Sequence, residues 1–330
     1  SDPVLHEKLD LFKDKVLDGH APGLSAGELS AYAAAGISTD HEASSYSYAL
    51  EEVRRGIHVH IREGSAAHNL EDIVRGIVTD GLPTENFSFC TDDKHIEDIL
   101  RQGHINYNVR KAVELGIPPV QAIKMATINT ARCYGLNHLG AIAPGRQADL
   151  IITDDLETLP ILAVYHKGQR LEQTDDIPVR KCPEALKNTV HLSPVTADAF
   201  RLPVTREDAH VIRLDASQIT TTNEMCHLET TDNYIPADGF SKIAAVERHK
   251  GTGLTGTGIC SGYGITGGAI ASSVSHDSHN IIVIGDNDED MALAVNAITE
   301  AQGGYSLVCG GKVYDTLPLP IMGLMSDAGF

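Results

Sequence analysis

GIHVHIREGSAA, residues 56–67, is the stretch that decides how this chain is read. An apolar run with His58 and His60 at alternate positions reads as a β-strand, on which alternate side chains share a face. Two imidazoles on one face can converge on a metal ion. A second reading is purely geometric: Ile57, Val59 and Ile61 make the other parity apolar, so the histidines need only face a barrel interior or a polar gap under a helix. Position favours the second. The pair sits inside its strand, whereas Arg62, Glu63 and Ser65 stand at its end, where barrel enzymes gather their functional groups.

Outward from this strand the same texture repeats. Residues 1–130 alternate short apolar segments that end in polar residues (LDGHAPG, ISTDHEA, IHVHIREGS, FSFCTDD) with helical patterns (ELSAYAAAG, ASSYSYALEEVRRG, NLEDIVRGIVTDG, KHIEDILRQG, NYNVRKAVELG). Such alternation implies parallel pairing, with a site at the carboxyl ends of the strands. Four units predict an α/β fold amounting to half of a (β/α)8 barrel, whose closure requires strands beyond these. Residues 131–178, with turn residues between short apolar runs, predict a small β domain. Residues 179–330 predict a C-terminal α+β domain that passes from a glycine-rich region to a strand and then a helix.

Composition limits the function. With 330 residues, 42% of them hydrophobic, the chain can bury a large core in two or three domains. A net charge of -19 argues against nucleic acid and anionic membranes as partners and leaves a small molecule. Cys90, Cys133, Cys182, Cys226, Cys260 and Cys309 show no C-x-x-C spacing, so neither a zinc-finger nor a secreted disulfide framework is expected. No signal peptide and no membrane-length apolar run stand out, and the expected setting is the cytoplasm.

Three sets of residues carry candidate chemistry. His20 in DGHAPG, His41 in STDHEA and Asp92 with Asp93 in FCTDDKH each follow an apolar strand. Imidazole and carboxylate suit Zn, Mn or Fe, and the rim of one barrel brings distant strand ends together. His58 and His60 form the second set, expected to be structural. The third is His276-Asp277-Ser278-His279-Asn280, either an ion site or flap or an ordinary hydrogen-bonded turn. GTGLTGTG lacks the G-K-[ST] ending of a phosphate loop. DNDED at 286–290 reads as a solvated cap.

The run MATINTARCYGLNHLGAIAPGRQADLIITDDLE resembles the segment by which the amidohydrolase superfamily closes its barrel and enters its small β-domain. TDHEA, IREGSAA, FCTDDKH, GHINYNVRKAVELG, HDSHN, NDEDMA and LPIMGLMSD together resemble, more closely, the adenine deaminase family of purine salvage. The resemblance runs from about Asp18 to the C-terminus, and it implies that residues 1–130 are the C-terminal half of the (β/α)8 barrel, strands five to eight. It implies that His20 and His41 are the strand-five and strand-six ligands of one metal in a two-metal site, and that Asp92 is the strand-eight aspartate that binds the other metal and shuttles the proton. It places the family's own H-x-H on strand one and its bridging acid near strand four, upstream of this sequence, and puts His58 and His60 on strand seven.

The same resemblance implies a divalent cofactor, Mn or Fe with Zn as an option, and attack of activated water on C6 of adenine. Glu63 would hydrogen-bond a ring nitrogen, while Arg62, Ser65, Asp93, His276 and His279 are candidate substrate contacts. A homodimer is expected, with weak metal binding and little turnover by this chain alone. The cytidine-deaminase signature, H-x-E followed by P-C-x-x-C, does not occur. Two other readings stay open: an amidohydrolase of another cyclic amide or amidine, and a non-catalytic scaffold that keeps the fold.

Overall fold

A four-stranded parallel sheet organises the first part of the chain. The computed structural model describes residues 3–172, 181–215, 220–237 and 239–328, and it divides into two units, Ser1–Asp175 and Asp176–Phe330. In the first unit the order is α1 (Pro3–Leu11), β1 (Leu17–Gly19), α2 (Ala26–Ala34), β2 (Ile37–Asp40), α3 (Tyr46–Val53), β3 (His58–Arg62), α4 (Leu70–Asp80) and β4 (Phe87–Cys90). Helices α5 (Ile96–Gln102), α6 (Ile105–Glu114), α7 (Pro119–Ala126) and α8 (Ile128–Cys133) follow. The strands pair in chain order, β1-β2-β3-β4, all parallel.

Strand parity sets what each face does. Val59 and Ile61 of β3 join Phe87 and Phe89 of β4 in a core with Leu70, Ile73, Val74 and Ile77 of α4, Val109 and Ala112 of α6, and Met125 of α7. The α4 positions fall at i, i+3, i+4 and i+7, one face of a helix. Burial of each such side chain contributes roughly 1.5–3 kcal/mol. A one-residue slip of β3 would instead push His58, His60 and Arg62 into this apolar layer, so the register is strongly fixed. Gly76 lets α4 approach α3 closely, because a Cβ there would lie 2.0 Å from the Tyr46 ring.

Helix α2 opens with a capping box, Ser25 and Glu28 bonding each other's backbone amides. Helix α1 has no buried residue, and its Val4, Leu5 and Leu11 are exposed. After α8, β5 (Leu150–Ile152), β6 (Ala163–His166) and β7 (Gln169–Arg170) form a small antiparallel sheet.

The second unit is built on an eight-stranded sheet: β8 (Asp208–Leu214), β9 (Thr221–His227), β10 (Phe240–Val246), β11 (Thr255–Ser261), β12 (Gly268–Ser272), β13 (Ile281–Gly285), β14 (Gly304–Cys309) and β15 (Lys312–Pro318). Its one long helix among the described residues, α9 (Asp288–Ala301), packs Met291, Ala294, Val295 and Ile298 against Val246, Ala269, Ile281 and Val283. The DNDED run caps α9, since the Asn287 side chain accepts from Asp290 N. It is less solvated than its charge suggests. Asp290 is buried and accepts from Gly311 N, and Asp288 pairs with the buried Lys242. The six cysteines are free thiols. Among the described residues no helix is long and apolar enough to cross a membrane.

Candidate metal centre

The loops after β1 and β2 are pinned together from below. Asp40, the last residue of β2, is fully buried; its Oδ1 accepts from Ala21 N at 2.8 Å and its Oδ2 from Glu42 N at 2.6 Å. The amides beside His20 and His41 are therefore held by one carboxylate. Tyr48 adds to this, donating to Ala21 O and accepting from Leu24 N at 3.0 Å. Burial raises the Asp40 pKa. Burial and then the Asp40 charge push Glu52 up to about 9, so at neutral pH Glu52 keeps its proton and no second buried charge stands against Asp40.

Held this way, His20, His41 and Glu42 bring one ligand atom each within 4.8 Å of one another. Nδ1 of His20 lies 3.6 Å and Nε2 of His41 3.5 Å from Glu42 Oε1. Asp18 Oδ2 is 3.8 Å from His41 Nδ1, and its other oxygen accepts from the Thr39 hydroxyl. Glu42 is the member that sequence reasoning missed. Its signal lay in TDHEA, where it directly follows His41, but a lone acid in a strand-end loop has many other uses.

Asp92 reaches the group through Arg62. The Arg62 guanidinium, 2% exposed, donates from Nη1 to Glu42 Oε1 at 2.6 Å and to Asp92 Oδ2 at 3.0 Å, and from Nε to Asn69 Oδ1 at 3.3 Å. Burial works against its charge, but Glu42 and Asp92 outweigh that and hold its pKa above the ordinary value. Asp92 itself is 41% exposed. Thus His20 and His41 stand in the ligand-spaced group at the carboxyl ends of β1 and β2, and Asp92, after β4, adjoins that group through Arg62 without belonging to it.

The other candidates have different surroundings. Glu63 turns to the opposite side of β3 from Arg62, where Oε1 accepts from Lys111 Nζ at 2.6 Å and lies 3.2 Å from His68 Nδ1, and Oε2 accepts from Leu70 N at 3.4 Å. Ser65 donates to Asp98 Oδ2 at 2.5 Å and accepts from His95 N at 2.9 Å. Asp93 Oδ2 accepts from Ala66 N at 2.6 Å. A Cβ at Gly64 would lie 1.6 Å from Asp93 Oδ1, so only glycine admits this contact. His58 and His60 share the Ser88 hydroxyl across the β3–β4 pair, and Tyr134 meets His60 Nε2 at 2.9 Å. Neither belongs to the ligand-spaced group. His276 and His279 lie in the second unit between β12 and β13, with rings edge to face at 5.9 Å; Arg248 Nε donates to His279 O at 2.5 Å.

Two imidazoles and a carboxylate are a donor set that fits a divalent Zn, Mn or Fe ion. Comparison with known proteins bears on the chemistry. The model of the adenine deaminase C-terminal domain matches residues 218–330. Adenine deaminase of Desulfitobacterium hafniense (strain Y51) is 52% identical over 98% of this chain and 57% of its own length. Those of Nitratidesulfovibrio vulgaris (strain DP4) and Petrotoga mobilis are 44% and 41% identical, each over 97% of this chain and 56% and 57% of their own lengths. The chain therefore spans a little over half the length of these curated relatives. The amidohydrolase family model matches residues 2–197, the whole of the parallel sheet and its strand-end loops, and the chain belongs to the amidohydrolase family.

Proposed function

We propose that this chain serves the hydrolytic deamination of adenine to hypoxanthine and ammonia. The observation that carries the reading is the convergence of His20, His41 and Glu42, joined to Asp92 through Arg62, at one rim of a parallel sheet. The adenine deaminase relatives support the substrate. Membership of the amidohydrolase family implies a divalent metal. His20 and His41 are the residues that would hold it, as Mn(II) or Fe(II) with Zn(II) as an alternative. When bound there, such an ion lowers the pKa of water towards neutrality and so makes a nucleophile available at C6.

Asp92 carries the proton. Its carboxylate takes one proton from the attacking water and delivers it to the amino group leaving C6, which departs as ammonia. Arg62 orients that carboxylate through the 3.0 Å bond to Oδ2, and the half-exposed Asp92 keeps its other oxygen free for the transfer. The buried contacts of Glu63 with Lys111 and Leu70 N shape the loop after β3 on which Ser65 stands.

The test is made in the polypeptide that carries this sequence. His41→Asn and Asp92→Asn are each expected to abolish loss of adenine absorbance in the Mn(II)-loaded protein, with hypoxanthine followed by chromatography. Undiminished hypoxanthine formation in both variants would reject the assignment. Turnover of a cyclic amide in place of adenine would favour the other amidohydrolase chemistry.

A further inference from the structure

Glu42 is placed as no ordinary counter-ion needs to be. Its side chain is 6% exposed, yet Oε1 stands almost equally far from two imidazoles on different loops, 3.6 Å from His20 Nδ1 and 3.5 Å from His41 Nε2. Both spacings are long for hydrogen bonds. They suit a shared ion better. With metal–ligand bonds of about 2.1 Å, tetrahedrally arranged ligand atoms stand about 3.4 Å apart. The same oxygen accepts the 2.6 Å bond from Arg62, and a carboxylate oxygen has a second lone pair with which it can meet an ion. Ligating carboxylates are themselves usually held by a hydrogen-bond donor that fixes their orientation. Arg62 is that donor, with a charge that does not titrate away.

Resting on the metal reading above, we propose that Glu42 is a third protein ligand of the ion held by His20 and His41, and that Arg62 is the positioning residue that fixes its carboxylate beside Asp92. The competing account makes Glu42 only the partner that neutralises a buried arginine.

Co(II) titration of the full chain, read by the visible absorption of the bound ion, separates these. The variants are His41→Asn, Glu42→Gln, Glu42→Asp and Arg62→Lys, each checked for a native unfolding midpoint. Glu42→Gln is expected to weaken Co(II) at least tenfold and to alter the spectrum, because a carboxylate leaves the coordination sphere. Arg62→Lys, which keeps the charge but loses the fork of donors, is expected to cost about ten- to a hundredfold in affinity with the spectral shape retained.

Should Glu42→Gln fail to fold, Glu42→Asp decides. It keeps the negative charge beside Arg62 but draws the carboxylate back from the imidazoles, and it is expected to lose affinity too. Wild-type affinity and spectrum in the folded Glu42 variants, alongside loss of Co(II) in His41→Asn, would overturn the proposal and leave the histidine reading standing. Wild-type binding in His41→Asn would overturn both. Wild-type affinity in Arg62→Lys would remove the positioning role.

Discussion

Asp40 Oδ2 accepts from Glu42 N at 2.6 Å while Oδ1 of the same carboxylate accepts from Ala21 N at 2.8 Å, so one buried acid sets the spacing of two ligand-bearing loops. Asparagine offers a single acceptor oxygen, and its NH2 would meet the second amide donor to donor. Asp40→Asn is therefore expected to cost about 1–3 kcal/mol, the penalty of one buried unsatisfied N–H. Metal affinity should fall with it. Urea denaturation and Co(II) titration check both, and a stability change within about 0.5 kcal/mol, the range of an inert surface substitution, would show that the loops hold without Asp40.

Glu52 makes the stability of this part depend on pH. Its pKa is pushed up to about 9 by burial and by Asp40, from an ordinary 4.5. Between those values the folded chain keeps a proton that the unfolded chain has released, so stability falls as pH rises from about 4.5 to about 9. Glu52→Gln removes the titration while keeping a donor towards Asp40. It is expected to stabilise the protein at pH 8 by up to about 5 kcal/mol, about 1.4 kcal/mol for each pH unit above the ordinary value, and to flatten the slope of stability against pH above 5. An unchanged slope in the variant would show that Glu52 is ionised in the folded state.

The H-x-H of β3 works in the opposite pH direction. Burial, and then His60, push His58 down to about 4, and burial lowers His60 as well. Both rings favour the neutral form in the fold, so their contribution is present above the ordinary histidine range and is lost as pH falls below about 6.5, for His58 towards 4. Ser88→Ala removes the hydroxyl that both rings share and is expected to cost about 1–3 kcal/mol. Metal stoichiometry should not move in His58→Asn or His60→Asn. A lost equivalent of metal in either variant would return the pair to the list of ligands.

What the sequence made legible follows from which side chains announce their surroundings by period or type. The β1–β4 strands and α2–α4 and α6 carry alternation or an i, i+3, i+4, i+7 stripe, and they fold as those patterns predict. Helix α1, which precedes the first strand–helix unit, buries none of its residues, and no expectation falls on it. The placing of His20, His41 and Asp92 at one end of the parallel sheet was legible because each follows one of its strands. Glu42 and Asp40 were not, since an acid beside a histidine looks the same in sequence whether it faces a metal, an arginine or water. Nor did the sequence show that Arg62 is held by Glu42, Asp92 and Asn69, because those partners sit 20, 30 and 7 residues away along the chain.

Arg248 gives the last prediction, in the second unit. Arg248 is 1% exposed, and its guanidinium donates to three backbone carbonyls: His279 O at 2.5 Å, Met322 O at 3.0 Å and Thr189 O at 3.5 Å. Burial lowers its pKa. Gly323 makes room for it, since a Cβ there would lie 2.5 Å from Nη1. Three segments distant in sequence thus end on one cation, among them the loop that carries His276 and His279. Arg248→Met removes three charged hydrogen bonds but also the cost of burying a charge, so the net loss is expected to be about 2 kcal/mol. The loop should loosen before the sheet does. Hydrogen exchange at residues 276–280 is expected to speed up in Arg248→Met while the amides of β10 and β13 stay protected; unchanged exchange in the loop would mean that its own turn, and not Arg248, holds the two histidines in place.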